Sequence, residues 1–316
     1  MSVIFKRLFH KRKSEPQPER GEAAAGTIDD KEDVTATLSI PTDEEELPSC
    51  GLHFPMADSG VTDLEKPGPA IEVAWDSRIG TRNSQQDSVE VWSSEEEMSV
   101  DSVLCDGMGG LAGGERASKL AATGMVNALR TGSGPLPQVM ARAAAELNNR
   151  VKNLCDDQNK RIQAGTTLVA VAVRGRKMFW CSIGDSRIYL WRNRTLQQLN
   201  QDDTFGLQLD MLAQAGQITR EEALQNPKRE ALTSYLGMPE LHRIGGNQEE
   251  MALQPGDLIL QCSDGLYRAL PPMELGAMME FVKGDLVQEV RELVDTALQK
   301  PGNHDNTSAV LIRVNY

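Results

Sequence analysis

Five aspartates in the sequence stand at the ends of apolar runs that have the composition of β-strands. They are Asp87, Asp106, Asp185, Asp264 and Asp305. One aspartate in such a place is usually a turn or capping residue. Four where a strand-type run stops, with Asp87 just before such a run, point to a common site instead, because gathered carboxylates repel one another and shift toward protonation unless a cation neutralises them.

The residue types around these aspartates indicate which cation a common site would take. Mg²⁺ and Mn²⁺ prefer oxygen ligands of this kind and keep several of their waters. The sequence holds no clustered set of Cys and His, which disfavours a zinc site. Gly107, directly after Asp106, allows its backbone carbonyl to approach an ion closely. The sequence therefore predicts a site for Mn²⁺ or Mg²⁺.

Arg82 stands five residues before Asp87 on the same segment. Its planar guanidinium matches a phosphate dianion, and a surface arginine without a special role is the alternative. Metal ligands beside a phosphate-binding arginine indicate phosphoryl chemistry. The sequence has no GxxxxGK[ST] loop and no kinase-type glycine loop, which excludes a nucleotide-driven transfer of the common kinds.

The elements that must position these residues follow from the apolar pattern. Helical periodicity predicts helices at 115–130, 136–158 and 286–300. Several strand-type runs are separated by a few residues that include Gly, which favours antiparallel hairpins. Strict alternation of strand and helix is absent, so we predict an α+β layered fold and not a parallel doubly wound sheet. The predicted strands are 71–78, 88–92, 102–106, 166–175, 177–185, 187–193, 257–264 and 307–314.

Charge and composition divide the chain near residue 70. The chain has 33 Lys and Arg against 46 Asp and Glu, a formal net charge of −13 that argues against nucleic-acid binding. Residues 1–13 are basic and residues 14–70 are acidic and rich in proline, so we predict a disordered tail over 1–70. The remaining residues, 71–316, are predicted to form one domain, which we expect to be monomeric.

The N-terminal residues bear on localisation. The sequence has no apolar run of transmembrane length and no secretory signal, which predicts a cytoplasmic protein. The five cations of residues 1–13 lie among aliphatic and aromatic residues, a combination that suits weak docking to the anionic inner face of a membrane or to a partner. A solvated basic tail that folds back on acidic residues is the alternative. The five cysteines are widely spaced and predict reduced thiols.

Six short motifs, taken together and in order, resemble those of a known family. The family is that of the metal-dependent protein phosphatases, the protein phosphatase 2C-like Ser/Thr phosphatases in their bacterial form. The resemblance spans about 80–312 and does not cover 1–70. It implies a central β-sandwich of two antiparallel sheets flanked by helices, with 71–316 as the phosphatase domain. The motifs are GTRNSQQDS (80–88), DGMGG (106–110), AGTT (164–167), GDSR (184–187), SDGL (263–266) and HDNTS (304–308).

The resemblance also implies roles for the residues named above. Two Mn²⁺ or Mg²⁺ ions would be held by the carbonyl of Gly107 and by four carboxylates, those of Asp87, Asp106, Asp264 and Asp305. Asp106 would bridge both ions. Asp185 falls at the place of a weaker ligand for a third ion, and Arg82 at that of the phosphate-binding arginine.

The activity implied is that of a protein serine/threonine phosphatase. In this family a metal-bridging water attacks phosphorus in line with the departing Ser or Thr oxygen, without a covalent phosphoenzyme. Arg82, Asp106 and Asp264 would be the catalytic residues. The partners implied are phosphorylated protein substrates and a cognate Ser/Thr kinase.

Departures from the family pattern leave two alternatives open. Gln86 replaces a common Glu, and Leu111 stands where bacterial members commonly carry His. The segment 215–237 resembles the family's mobile flap, and we predict a flap over 200–240. The first alternative is a weak pseudophosphatase that binds phosphoproteins, although every carboxylate of the metal site is retained. The second is a phosphoprotein-binding adaptor in a kinase signalling system, whose tail is the functional part.

Overall fold

The computed structural model describes residues 70–109, 113–156, 158–241 and 243–316, which form a sandwich of two antiparallel sheets with helices on both outer faces. Seven helices are assigned in these residues: α1 (Gly113–Thr131), α2 (Leu136–Lys152), α3 (Phe205–Gln214), α4 (Arg220–Leu224), α5 (Asp264–Tyr267), α6 (Pro272–Met279) and α7 (Leu286–Leu298). The strands of the same residues are β1 (Ile71–Arg78), β2 (Asp87–Ser94), β3 (Ser99–Gly109), β4 (Ala164–Thr166), β5 (Leu168–Arg174), β6 (Lys177–Ile183), β7 (Arg187–Arg192), β8 (Thr195–Gln198), β9 (Gly245–Gly246), β10 (Met251–Ala252), β11 (Leu258–Cys262) and β12 (Thr307–Val314).

The two sheets are built from hairpins and from one long-range pairing. The first sheet has the order β10-β6-β5-β3-β2, with β4 paired to β3 and β9 to β6. The second sheet has the order β1-β12-β11-β7-β8. In it β12 lies between β1 and β11, antiparallel to both, so a strand from late in the sequence completes the sheet that β1 begins.

The central strands are apolar on both faces because both faces are covered. In β5, Val169, Val171 and Val173 face the core between the two sheets. Leu168, Ala170 and Ala172 alternate with them and face the core under α1 and α2. This period of two in a continuous apolar run is the pattern of a strand buried on both sides.

The outer layers are amphipathic helices. The apolar stripes of α1 and α2 cover the first sheet. On the second sheet α7 presents Val290, Leu293 and Val294, all buried. The Asp285 side chain caps α7 by accepting a hydrogen bond of 3.0 Å from the Val287 amide. Among the described residues no helix is long and apolar enough to cross a membrane.

A buried polar contact fixes one sheet against the other. Gln261 of β11 is fully buried and its amide donates to the carbonyls of Ser102 and Val169, at 3.3 and 3.1 Å. The hydroxyl of Ser102 donates back to Gln261. Buried polar groups need all their partners, so this set favours a single register between the sheets.

The predicted fold class is confirmed, and several of the predicted boundaries change. The helix predicted at 136–158 ends at Lys152, because Asn153 leaves the helical conformation at φ −102° and ψ 14°. The strand predicted at 166–175 is split at Thr167, whose amide donates to the carbonyl of Asp106 instead of continuing one ladder. Asp106 lies within β3, which continues to Gly109, and Asp264 begins α5.

Two predictions fall wholly or partly outside the described residues. The disordered tail predicted over 1–70, with its basic segment 1–13, lies outside them except for its last residue. Leu111 and Cys50 also lie outside them. Of the other four cysteines, Cys105, Cys181 and Cys262 are buried thiols.

Candidate functional site

Asp87 lies where the two sheets meet, and both sheets contribute to its surroundings. In the register of β2 against β3 it stands directly opposite Asp106. Its Oδ2 accepts hydrogen bonds from Ser308 at 2.6 Å and Ser263 at 2.8 Å, both from the second sheet or its edge. Its Oδ1 is buried and has no hydrogen-bond partner. One carboxylate oxygen is thus held in place by two hydroxyls, while the other is buried without a hydrogen bond.

The backbone of Asp106 is fixed by the AGTT motif. Its amide donates to Thr167 Oγ1 at 2.9 Å, and its carbonyl accepts from Thr166 Oγ1 at 2.9 Å. Gly107 follows in a place where no side chain fits, since a Cβ there would lie 2.2 Å from the carbonyl oxygen of Gly114. The threonines and glycines of these motifs therefore set the position of one carboxylate and of the backbone beside it.

Asp185 is positioned by a turn that needs glycine. Gly184 before it has φ +97°, a left-handed conformation that glycine adopts without strain. The Gly184 amide donates to Oδ2 of the buried Asp203 at 3.0 Å, and Arg243 lies 3.6 Å from the same side chain's Oδ1. Asp203 therefore holds the turn from which the Asp185 carboxylate projects.

An arginine absent from the predicted site lies between two of its aspartates. The guanidinium of Arg268 is 3.2 Å from Asp264 Oδ2 and 3.5 Å from Asp185 Oδ2. The hydroxyl of Tyr267 also donates to Asp185 Oδ2, at 3.3 Å. The ring of Tyr267 is in turn covered by the guanidinium of Arg187, 3.6 Å from its centroid.

Arg82 and Asp305 form the exposed edge of the site. Arg82 Nη2 donates to Asp305 Oδ2 at 2.7 Å, and its side chain is 57% exposed. The two loops are packed closely, because a Cβ on Gly80 would lie 2.3 Å from the Asp305 carbonyl oxygen. The Asn306 side chain also joins the loops by accepting from the Gln86 amide at 2.8 Å. Arg82 is thus held beside the carboxylates with its guanidinium open to solvent.

The predicted aspartates form one electrostatic cluster. Burial raises the pKa of Asp87 to about 7, against the opposing effect of its two serine donors. Burial and then repulsion by Asp87, Asp264 and Asp185 hold the pKa of Asp106 well above its usual range. Burial and repulsion by Asp264 raise the pKa of Asp185 to about 6. Burial also raises the pKa of Asp264, with Arg268 acting in the opposite direction. These carboxylates are costly to ionise without added positive charge.

The donor set fits hard divalent cations by its chemistry. It consists of carboxylate oxygens, with the partnerless Oδ1 of Asp87 inside it. Within the part of the chain that the structure describes, no three acidic, His or Cys side chains stand as a finished ligand set for one ion. Arg82 and Arg268 lie against the carboxylates instead. The fit to a metal therefore rests on the oxygen donors, the orphaned atom and the mutual repulsion.

The sequence match decides the family. The model of protein phosphatase 2C matches residues 76–303, well over half of the chain. The chain belongs to the protein phosphatase 2C family. The predicted resemblance and the predicted enzyme class, a protein serine/threonine phosphatase, are confirmed by this match and by the curated relatives.

The relatives of this phosphatase are bacterial enzymes. PhpP of Streptococcus pneumoniae is 31% identical over 219 residues, which are 67% of this chain and 85% of the relative. The serine/threonine phosphatase stp of Listeria welshimeri is 26% identical over 218 residues, 67% of this chain and 84% of the relative. PstP of Mycobacterium tuberculosis is 33% identical over 214 residues, which are 67% of this chain and 40% of PstP.

Solved structures agree with the fold of this phosphatase. The serine/threonine phosphatase of S. agalactiae superposes with a TM-score of 0.67 at 27% identity, covering 78% of this chain and all of the other. The catalytic domain of PstP in complex with two manganese ions superposes with a TM-score of 0.60 at 27% identity, covering 78% and 99%. The α+β sandwich predicted from the motifs is the fold of these enzymes.

The structure brings the predicted residues of this phosphatase together and adds others. Asp87, Asp106, Asp185 and Asp264 share one buried cluster, with Arg82 and Asp305 at its edge. Sequence reasoning missed the hydroxyl donors of Asp87, although both serines lie inside quoted motifs. It also missed Arg268, which follows Asp264 by four residues, the spacing that places two side chains on one face of a helix. Because a strand was predicted over 257–264, the helix that begins at Asp264 was not expected, and the spacing was not recognised.

Proposed function

We propose that this phosphatase removes phosphate from phosphoserine and phosphothreonine in proteins, and that the buried aspartate cluster holds divalent cations for this reaction. The observation that carries the proposal is Asp87, whose Oδ1 is buried without a partner beside Asp106 while its Oδ2 is held by two hydroxyls. A carboxylate with one oxygen held by hydrogen bonds and the other without a partner suits a ligand that binds after folding.

Four carboxylates and one backbone carbonyl would bind the divalent cations. Asp87, Asp106, Asp264 and Asp305 would hold the ions together with the carbonyl of Gly107. Bound there, a pair of divalent cations lowers the pKa of water and neutralises charge on the transferring phosphoryl group. Those roles require the carboxylates in their ionised form.

Arg82 would bind the phosphate of the substrate. Its guanidinium is exposed and presents a planar set of donors at the edge of the cluster. Its ion pair with Asp305 keeps it from turning away into solvent. A phosphate dianion would compete for the same donors, so substrate binding would loosen the contact between Arg82 and Asp305.

The segment 200–240 is proposed as the surface that meets the polypeptide of the substrate. It is anchored near both ends, since the Asp203 amide donates to Gly184 and Leu236 exchanges backbone hydrogen bonds with Thr166. Between these anchors, Met211 and Leu224 are more than half exposed. Exposed apolar side chains on a segment that reaches the cluster through Glu230, 3.7 Å from Arg268, suit contact with a protein chain and not with phosphate.

The proposal also includes the number and identity of the metal ions, the type of phosphorylated residue and the kinase that supplies the substrate. The solved PstP structure supports two ions, and Mn²⁺ and Mg²⁺ both suit the donor set. The names of the relatives support serine and threonine as the phosphorylated residues. A cognate Ser/Thr kinase is proposed as the source of those phosphoproteins.

Phosphate release from a phosphothreonine peptide tests the proposal. We expect activity with Mn²⁺ or Mg²⁺ that EDTA abolishes, and a loss of several orders of magnitude in Asp106→Asn and Asp264→Asn. Asp285→Asn, which changes an exposed carboxylate at the N-terminus of α7, outside both the cluster and the segment 200–240, is the matched control and should keep full activity. Activity that survives EDTA, or full activity in both cluster variants, would contradict the proposal. Tight peptide binding by the wild type without turnover would favour the pseudophosphatase.

The organisation of the whole chain is also a proposal. The matched range 76–303 lies inside the proposed phosphatase domain, 71–316. We propose that deleting residues 1–70 leaves turnover of a small aryl phosphate intact and changes membrane association or partner recovery. An inactive or unfolded truncated protein would place the domain boundary elsewhere. A cytoplasmic location and a monomeric state stay predictions, to be checked by fractionation and by light scattering.

A further inference from the structure

Arg268 contacts three carboxylates that come from three separate parts of the chain. Its guanidinium lies 3.2 Å from Asp264, 3.5 Å from Asp185 and 3.7 Å from Glu230 of the segment 200–240. Asp264 begins α5, and Arg268 follows its last residue in helical conformation with its amide bonded to the Asp264 carbonyl, so the short helix holds the two side chains on one face. The side chain is about half-buried.

The surroundings of Asp185 hold its carboxylate against this arginine. Asp203 fixes the turn before Asp185 through the Gly184 amide. The hydroxyl of Tyr267 donates to the same oxygen, Oδ2, that lies 3.5 Å from Arg268. Tyr267 is itself fixed by the stacked guanidinium of Arg187, which is paired with Asp202 at 2.6 Å and so is not free to turn toward Asp185.

A guanidinium in this position competes with a metal ion for the same oxygens. Arginine stays protonated under all physiological conditions, and its charge is permanent. An ion held by Asp185 and Asp264 would lie within a few ångströms of that charge, and like charges at such distances repel strongly in a partly buried site. An ion held between Asp185 and Asp264 would need the oxygens, Oδ2 of both, that face Arg268, whereas the proposed pair of ions can use Oδ1 of Asp264.

We propose that Arg268 is a built-in cation at the Asp185 position, so that this phosphatase takes two metal ions and not a third. The inference rests on the proposed function, because it concerns the number of ions that the same cluster holds. It corrects the role assigned to Asp185 from the family resemblance: Asp185 is a partner of Arg268 in this chain. Glu230 shares the same guanidinium, which ties the segment 200–240 to the cluster.

Counting bound Mn²⁺ at equilibrium tests this assignment. Free Mn²⁺ is measured by its electron paramagnetic resonance during titration of the full-length protein. We expect two ions for the wild type and three for Arg268→Gln and Arg268→Ala, with the third lost again in Arg268→Gln/Asp185→Asn. Arg268→Lys keeps the positive charge and should bind two. Arg194→Gln, which breaks an exposed pair with Glu280 outside the cluster, is the matched control and should bind two.

A second measurement keeps the test independent of how the variants fold. Anomalous diffraction at the manganese edge from wild-type crystals grown with excess Mn²⁺ should show no ion at Asp185 and the Arg268 guanidinium in its place. A third ion in the wild type by either method overturns the inference, as does a count of two in folded Arg268→Gln and Arg268→Ala. A wild type that binds no ion at all would instead refute the proposed function, so the two failures are distinguishable.

Discussion

Removing the Ser308 hydroxyl should weaken metal binding without removing any metal ligand. Ser308 is fully buried, and its Oγ donates to Asp87 Oδ2 at 2.6 Å, the shorter of the two bonds to that oxygen. The Ser77 hydroxyl, 2.7 Å from Ser308 Oγ, loses an acceptor when Ser308 becomes alanine, but it is only partly buried and still accepts from the Gln85 side-chain amide. The Ser308→Ala change therefore deprives mainly the carboxylate.

The size of the effect follows from the charge of the acceptor. A hydrogen bond to an ionised group contributes about 1.5–3 kcal/mol, more than one between neutral groups. Asp87 must be ionised to bind a cation, and burial already opposes its ionisation. Losing about 2 kcal/mol from the ionised form corresponds to a roughly thirty-fold weaker affinity for Mn²⁺. Removal of supporting groups behind metal ligands has effects of the same size, about 10- to 100-fold.

Isothermal titration with Mn²⁺ and activity as a function of Mn²⁺ concentration measure this effect. At saturating Mn²⁺ we expect most of the wild-type turnover to return, because Ser308 acts through Asp87 and does not touch the substrate. Ser118→Ala is the matched control, since this fully buried serine bonds to the Ser88 hydroxyl at 2.9 Å and to no carboxylate. An unchanged affinity in Ser308→Ala, or an equal loss in Ser118→Ala, would refute the reasoning.

Three further predictions concern positions around the site. Gly107→Ala places a methyl group 2.2 Å from the Gly114 carbonyl oxygen. We expect this change to lower the free energy of unfolding by about 1–3 kcal/mol, measured by thermal unfolding, and to weaken metal binding as well. An unchanged melting temperature would contradict the packing argument. Burial raises the pKa of Asp203 to about 6, above its unfolded value of about 3.9, so the native state holds this proton more tightly. The protonated carboxyl therefore contributes to stability below about pH 4, and this contribution is lost as the pH rises to about 6. The expected difference in the free energy of unfolding is roughly 3 kcal/mol, and Asp203→Asn should not show it. If the melting temperatures of the two proteins changed equally with pH between pH 4 and 7, this reasoning would be contradicted. Exchanging the segment 200–240 for that of a relative should change the peptide preference and leave turnover of an aryl phosphate intact, whereas a joint loss of both would assign the segment to the catalytic centre or to folding.

The sequence was sufficient for the fold class and for the set of clustered carboxylates. Runs of β-branched and apolar residues predicted most strands, and the aspartates at or near their ends were the candidates for the site. What linked them was their common type and setting, since Asp87 and Asp305 lie far apart in the sequence. The structure gives the reason for one of these links, because β2 and β3 pair in a register that sets Asp87 opposite Asp106.

The remaining parts of the site and of the fold could not be predicted, because they depend on contacts between segments that the apolar periodicity of the sequence does not indicate. Ser308 and Ser263 look like ordinary polar residues at strand ends, and only the stacking of the sheets turns them toward Asp87. Arg268 was overlooked because a strand was predicted to reach Asp264, where the chain in fact begins a short helix. The helices of the segment 200–240 were not predicted either, since they are short, with ten and five residues.

The position of Ser308 has a consequence for how the protein is made. Asp87 and Ser308 are 221 residues apart in the sequence, and β12 must insert between β1 and β11 before the hydroxyl reaches the carboxylate. During synthesis on a ribosome, Asp87 and Asp106 emerge long before that strand does. A polypeptide that is interrupted before Asp305 carries the other four aspartates and lacks both Asp305 and β12. Prematurely terminated chains should therefore be inert toward phosphoproteins, and competence should arise in one step when the second sheet closes.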